Sequence, residues 1–250
     1  MLILTPTREL ASQIELNIKS YSTGLRLKTK VIFGGVGASP QIKALQGGLD
    51  IVVATPGRLL DLLNQGYVNF SQLDTFVLDE ADRMLDMGFI NDVKKIMAKL
   101  PKQRQTLLFS ATMPKDIVRL AGTILNNPKK VEVTPESSTV EKIEQSVNYL
   151  KKENKLKLLE EILKRDDINS ALIFTRTKHG ADKVVRKLEQ LSIKAAAIHG
   201  NKSQNNRENA LNKFRSGELK VLIATDIAAR GIDVDHVSHV INFNLPEDPK

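Results

Sequence analysis

Thr75-Phe76-Val77-Leu78-Asp79-Glu80-Ala81-Asp82 sets a continuous apolar run directly before a turn in which three of four residues are carboxylates. A strand buried on both faces of a parallel sheet reads as an unbroken hydrophobic run, and Phe76 to Leu78 fits that pattern. Carboxylates at the exit of such a strand can hold Mg²⁺ and orient an attacking water. The same letters suit an acidic turn that caps the next helix, with Asp82 of a good capping type. On these residues alone both readings stand.

Outward from this stretch, short apolar runs alternate with segments of helical period. Strands are expected at Leu2–Leu4, Lys30–Phe33, Asp50–Ala54, Thr75–Leu78, Thr106–Phe109 and Val131–Val133. A second series follows at Ser146–Leu150, Ala171–Phe174, Lys194–Ile198, Val221–Ala224 and His239–Phe243. Between them Leu10, Ile14 and Ile18 repeat every four residues behind Thr7, a cap type. Val184, Val185, Leu188 and Leu191 form a stripe after Thr177, and Ala210, Leu211 and Phe214 form another. Strands alternating with helices imply parallel α/β sheets. Two series imply two domains, over residues 1–134 and 143–250, with residues 135–142 as a Pro- and Ser-containing linker.

Composition narrows the chemistry. The 250 residues are 41% hydrophobic and 26% charged, as in a globular protein. No apolar run is long enough to cross a bilayer, and the first residues lack the basic and apolar regions of a signal peptide. The expected setting is the cytoplasm, without a membrane partner. The sequence has no Cys, so disulfides, thiolate metal sites and thiol catalysis are excluded. Net charge is +8, shared by both halves, which suits a polyanion held across the body of the fold or simply a solvated lysine surface. With 8 Phe, 3 Tyr and no Trp, the chain lacks material for base-stacking platforms. A nucleic acid would be gripped by its sugar-phosphate backbone, with little sequence preference.

Polar motifs fall where the strands end, which is where open α/β sheets bind ligands. Pro6-Thr7-Arg8-Glu9 follows the first strand, Gly34-Gly35 the second and Thr55-Pro56-Gly57-Arg58 the third. Ser110-Ala111-Thr112 follows Leu107–Phe109. In the second half come Thr175-Arg176, then His199-Gly200, then Gln204 with Arg207, and finally Thr225 to Asp233 with Arg230 and Gly231. The Pro6 and Thr55 segments both open helices, whose free N–H groups and added arginines suit phosphate. Paired glycines let one backbone approach another without a Cβ. Taken singly, each of these motifs also reads as a cap, a turn or a solvated helix face.

Together, in this order and spacing, they resemble the DEAD-box ATP-dependent RNA helicases of superfamily 2 along essentially the whole chain. Gly34 to Val36, Asp79 to Phe89 and Thr175 to Gly180 look most like the bacterial RhlE-like subgroup. The resemblance implies two RecA-like α/β domains, each a parallel sheet flanked by helices. It implies ATP and Mg²⁺ as cofactors, RNA as partner and a monomer. It makes Asp79, Glu80, Asp82, Ser110 and Thr112 the catalytic set: Asp79 would hold Mg²⁺ through water, Glu80 would position the attacking water, both would bind the cofactor, and Ser110 and Thr112 would hydrogen-bond to the acidic motif and couple ATP to RNA. Gly231 and Asp233 would face the nucleotide. Pro6, Thr7, Arg8, Glu9, Gly34, Gly35, Thr55, Pro56, Gly57, Arg58, Thr175, Arg176, His199, Gly200, Gln204, Arg207, Thr225 and Arg230 would line the RNA path.

The sequence departs from the family at both ends. It shows no glutamine-containing adenine motif, no Gly-x-x-x-x-Gly-Lys-Ser/Thr loop and no arginine motif after Asn244-Leu245-Pro246. The expectation is a fragment with both domains incomplete, inactive by itself. The competing expectations are an RNA-binding piece without catalysis and a DNA translocase of the same superfamily.

Overall fold

A computed structural model describes residues 1–133, 143–229, 232, 234 and 237–245. The chain divides into two compact units, each built on its own sheet. The proposed linker at 135–142 lies outside the described residues, as do Arg230, Gly231 and Asp233.

In the first sheet, the strands are β1 (Leu2–Leu4), β2 (Thr29–Ile32), β3 (Ile51–Ala54), β4 (Thr75–Leu78) and β5 (Gln105–Leu108). All pair in parallel, in the order β2-β3-β1-β4-β5. The central strands β1 and, from Phe76 on, β4 are apolar because both sheet faces are covered. Leu2, Leu4, Phe76 and Leu78 point to one face. There they meet Leu59, Leu62 and Leu63 of α3 (Pro56–Asn64), Val93 and Ile96 of α5 (Ile90–Met97), and Ile117 and Leu120 of α6 (Lys115–Ile124). Ile3, Val53 and Val77 point to the other face, against Ala11, Ile14 and Ile18 of α1 (Arg8–Tyr21). The period of two along each strand divides one apolar run between two cores. Two further helices, α2 (Ser39–Gln46) and α4 (Ala81–Asp86), complete the unit.

The second sheet holds β6 (Ala171–Thr175), β7 (Ala195–Ile198), β8 (Val221–Thr225) and β9 (His239–Asn242) in the order β7-β8-β6-β9, again all parallel. Its helices are α7 (Lys155–Leu163), α8 (Lys178–Gln190), α9 (Gln204–Arg215) and the single turn α10 (Asp226–Ala229). Val184 and Leu188 of α8 pack with Leu159 and Leu163 of α7 against Ala171, Ile173, Val221 and Ile223. Ala210, Leu211 and Phe214 are buried, as their spacing predicts.

Three expectations fail. Val131–Val133 and Ser146–Leu150 are not strands; Val131, Val133, Val147 and Tyr149 stand in solvent, Tyr149 at 96% exposure. Alternation alone does not hold an extended segment that has no ladder partner. Leu191 is also exposed, because α8 ends one residue before it and the chain turns at Ser192 through a positive φ of 59°.

Candidate nucleotide and nucleic-acid site

Sheet order sorts the strand-end motifs in a way that chain order does not show. Along the C-terminal edge of the first sheet, Gly34-Gly35 lies beyond β2, Thr55 beyond β3, Thr5 to Thr7 beyond β1, Asp79-Glu80 beyond β4 and Ser110 beyond β5. Hydrogen bonds from one strand exit to the next lock this row. Thr55 N–H donates to Ile32 O at 3.0 Å, Thr5 N–H to Ala54 O at 3.0 Å, and Asp79 N–H to Leu4 O at 2.9 Å. Ala81 N–H donates to Phe109 O at 3.0 Å. The basic and glycine-rich motifs thus fill one half of the edge, the carboxylates the other.

In the first half, Thr7 caps α1 by accepting Leu10 N–H at 3.3 Å. Thr55 precedes α3 with Pro56 at the first helical position and makes no side-chain cap bond. Gly57 follows on the first turn, and Glu9 is the acidic residue of the first turn of α1. Arg8 lies across the glycine pair. A Cβ on Gly35 would fall 2.0 Å from Arg8 Nη1, and Gly35 has φ +81°, so glycine is required there twice over. Arg58 Nη2 donates to Val36 O at 3.2 Å, which ties α3 to the same loop. Two guanidinium groups therefore flank one stretch of exposed backbone.

In the acidic half, Glu80 occupies the left-handed region, φ 49° and ψ 52°, immediately before α4. That conformation is uncommon for a residue with a long side chain and lies at the point where strand becomes helix. Asp82 does not cap α4. It sits inside the first turn and is the centre of a closed network. Its Oδ2 accepts both the N–H and the Oγ1–H of Thr112 at 2.8 Å, and Oδ1 accepts Arg83 N–H at 3.0 Å. Ser110 Oγ accepts Asp82 N–H at 3.1 Å and donates to Thr112 O at 2.8 Å.

The carboxylates differ in electrostatics. Burial raises Asp79 above the ordinary carboxylate range, against one backbone hydrogen bond from Glu80 N–H at 2.9 Å. Burial also raises Glu80, although Arg83 Nη1 stands 3.3 Å from its Oε1. Burial would raise Asp82 too, but the bonds from Thr112, Arg83 and Ser110 outweigh it and hold Asp82 low. Two half-buried carboxylates whose charged forms are under-compensated fit a hard divalent cation, which takes one or two carboxylates and several waters. Among the described residues no cluster of three His, Cys, Asp or Glu forms a closed metal cage.

A pH prediction follows for Asp82. A carboxylate depressed on folding stabilises the fold above its unfolded value, roughly 3.9, and that contribution fades as pH falls through the lower folded value. Replacing Asp82 with Ala is expected to cost about 1 kcal/mol at neutral pH, the net worth of exposed hydrogen bonds to a charged group. Denaturant melts of both proteins should converge below about pH 3; a difference that stays constant with pH would contradict the network.

On the second sheet, register pairs Thr175 with Thr225 at the C-terminal ends of β6 and β8, and His199 follows β7 on the other side of β8. Thr175 Oγ1 donates to Thr177 O at 3.3 Å, and Thr177 Oγ1 accepts Gly180 N–H at 3.0 Å to cap α8. Arg176 is exposed, and its N–H donates to Asn244 Oδ1 at 3.3 Å. Gly200 is exposed in the turn after β7, and Gln204 and Arg207 lie on the first turn of α9. His199 departs from its expected place on an RNA surface. Its side chain is 2% exposed and both ring nitrogens are engaged within the unit. The letter pattern missed Asp182, Lys178 and Lys202, which hold that turn. Nothing but an i, i+4 spacing on the polar face of α8 marks the first two.

The profile of the DEAD/DEAH box helicases matches residues 1–120, and that of the helicase conserved C-terminal domain matches residues 154–250. RNA helicase CrhR of Synechocystis sp. is 45% identical over 248 residues, covering 99% of this chain and 50% of that protein. A DEAD box protein from the hyperthermophile Methanococcus jannaschii has a crystal structure at 41% identity and TM-score 0.52, spanning 99% of this chain and 67% of that one. Dbp5 of S. cerevisiae bound to RNA and ADP BeF3 aligns at 31% identity and TM-score 0.86, over 99% of this chain and 63% of that one. The chain spans about half the length of the curated relatives it matches. Motif order, two parallel sheets with their polar residues at the strand exits, and these likenesses agree: the chain belongs to the DEAD/DEAH box helicase family.

Proposed function

We propose that this chain is the core of an ATP-dependent RNA helicase, with RecA-like domains over residues 1–134 and 143–250 joined by residues 135–142. The observation that carries the reading is the strand-exit row of the first sheet, in which Arg8, Gly35 and Arg58 stand beside Asp79 and Glu80.

Each group has a task in this reading. The Arg8–Gly35–Arg58 surface holds an RNA backbone, where guanidinium groups and open backbone recognise phosphate rather than base. On the second sheet the exposed Arg176 and Gly200 suit a phosphate backbone in the same way, and Thr175, Gln204, Arg207, Thr225 and Arg230 are assigned to RNA with them. Asp79, raised by burial and lightly hydrogen-bonded, would hold Mg²⁺. When bound, the ion neutralises charge developing on the transferred phosphoryl group. The Glu80 carboxylate, raised by burial, accepts a hydrogen bond from the attacking water and orients it. Asp82, Ser110 and Thr112 tie the turn bearing Glu80 to the exit of β5, so a shift of either is felt by both. The same reading assigns Gly231 and Asp233 to the nucleotide. The 250 residues contain no Gly-x-x-x-x-Gly-Lys-Ser/Thr loop, so turnover is a property to test in a longer version that includes one.

Binding is the direct test on the chain itself. Fluorescence anisotropy with single-stranded RNA should show association indifferent to base sequence. It should weaken at least about tenfold between about 50 and about 200 mM salt, as expected when several phosphates are neutralised. RNA should compete better than DNA of the same sequence, because a backbone reader distinguishes the two through the 2′-OH. Affinity independent of salt, or no association with either nucleic acid, would reject the reading; equal competition by DNA would move it to a DNA translocase.

A further inference from the structure

The turn His199-Gly200-Asn201-Lys202, closed by Lys202 N–H on His199 O at 3.0 Å, is clamped from one side by a single helix. Lys178 and Asp182 lie one turn apart on α8, so their side chains share a face. Asp182 Oδ1 receives two contacts, His199 Nε2 at 3.1 Å and Lys202 Nζ at 2.9 Å. Lys178 Nζ donates to Asn201 Oδ1 at 3.0 Å. Two residues of the helix thus fix three of the four residues of the turn.

The hydrogen bonds select one form of the imidazole. Asn201 N–H points at His199 Nδ1 at 3.3 Å, so Nδ1 must be the unprotonated acceptor and the ring proton lies on Nε2. That proton faces Asp182. The orientation resembles the outer-shell pairs in which a carboxylate sets the tautomer of a histidine. Burial would raise Asp182, but the bonds from His199 and Lys202 overcome it and hold the carboxyl below its usual range, so it is charged at neutral pH. Gly200 projects from the turn with open space where a Cβ would stand, so the clamp leaves the tip of the turn accessible.

We propose that Asp182 and His199 are positioning residues: they hold the turn that carries Gly200 and Lys202 in the one backbone shape that accepts an RNA phosphate, without touching RNA themselves. This rests on the RNA-binding reading above. It separates from a plain charge effect by sign. Replacing Asp182 with Ala removes a negative charge from a chain of net charge +8 and frees Lys202, which on electrostatics alone tightens RNA binding. The positioning role predicts the reverse.

The experiment compares wild type, Asp182→Ala and Asp182→Asn in RNA anisotropy and thermal melts, and reads the His199 tautomer by ¹⁵N NMR at neutral pH. Asp182→Ala should bind RNA about tenfold more weakly, the scale of one charge-assisted hydrogen bond. Asp182→Asn keeps an acceptor for the imidazole N–H and should stay within about threefold of wild type. In wild type the His199 proton should be found on Nε2. A folded Asp182→Ala protein that binds as tightly as wild type, or more tightly, overturns the proposal, as does an Asn variant no better than Ala. Should the Ala variant fail to fold, a wild-type proton on Nδ1 or a charged imidazolium overturns it. Failure of wild type to bind RNA would instead defeat the underlying reading, and the tautomer would still decide whether the pair exists.

Discussion

Glu80→Gln is expected to lower RNA-stimulated ATP turnover by about 10²–10⁴-fold, in a version of the protein that includes a phosphate loop, while leaving RNA affinity within error. The substitution is nearly isosteric, and Gln can keep one hydrogen bond to Arg83, which stands 3.3 Å from Glu80 Oε1. What it removes is a carboxylate that burial holds above its usual range, the property of a group that accepts a proton rather than merely carrying charge. Glu80 also occupies a left-handed conformation at the strand-to-helix junction, φ 49°, which directs its side chain by backbone geometry rather than by packing. RNA affinity should survive because the Arg8, Gly35 and Arg58 contacts lie beyond other strands of the same sheet. Initial-rate ATPase assays with saturating RNA, read beside anisotropy, separate the two effects. Unchanged turnover would remove Glu80 from the chemistry, and a parallel loss of RNA binding would show a general structural role.

The strands of the first sheet were legible because a strand covered on both faces leaves no polar gaps: Leu2–Leu4 and Phe76–Leu78 announce themselves without neighbours. Their order was not legible. β1 lies between β3 and β4 through backbone ladders, and ladders are indifferent to side-chain identity. The placement that gives the site its meaning, basic motifs on one half of the edge and carboxylates on the other, therefore had to come from the structure. The failed strands show the converse. Val131–Val133 and Ser146–Leu150 carry the right alternation, but alternation records only which side chains share a face and says nothing about whether a partner strand is present. His199 shows a third limit. One letter beside a glycine fits either a ligand or a buried scaffold, and the difference is made by Asp182, distant in sequence and marked by no motif. The left-handed backbone of Glu80 was equally silent, since no intrinsic preference of glutamate leads there.

Phe76→Ala is expected to be the most damaging single truncation in the first unit. Phe76 is fully buried at the centre of the core face formed with α3, α5 and α6, on a strand hydrogen-bonded on both sides. The Arg104 guanidinium also stands 5.9 Å from its ring centre, a contact that requires the aromatic face. Removing a buried phenyl loses its transfer free energy and leaves a cavity that rigid strands cannot collapse into. The cost is about 3–5 kcal/mol. Phe76→Leu retains most of the volume and should cost less than about 1.5 kcal/mol, whereas Val118→Ala, at a half-exposed position on α6, should stay within about 0.5 kcal/mol. Because the chain carries two cores, a whole-protein melt does not say which of them has weakened. Hydrogen exchange of the β4 amides follows the first unit alone, and Phe76→Ala should speed it by about 10²–10⁴-fold while the β6 and β8 amides keep their protection. The same loss should reach the site, because Phe76 lies three residues before Asp79 on the strand that aims it. Protection of β4 unchanged by the substitution would show that the sheet does not depend on this side chain, and that the carboxylates beyond it are held by the Asp79–Leu4 and Ala81–Phe109 backbone bonds instead.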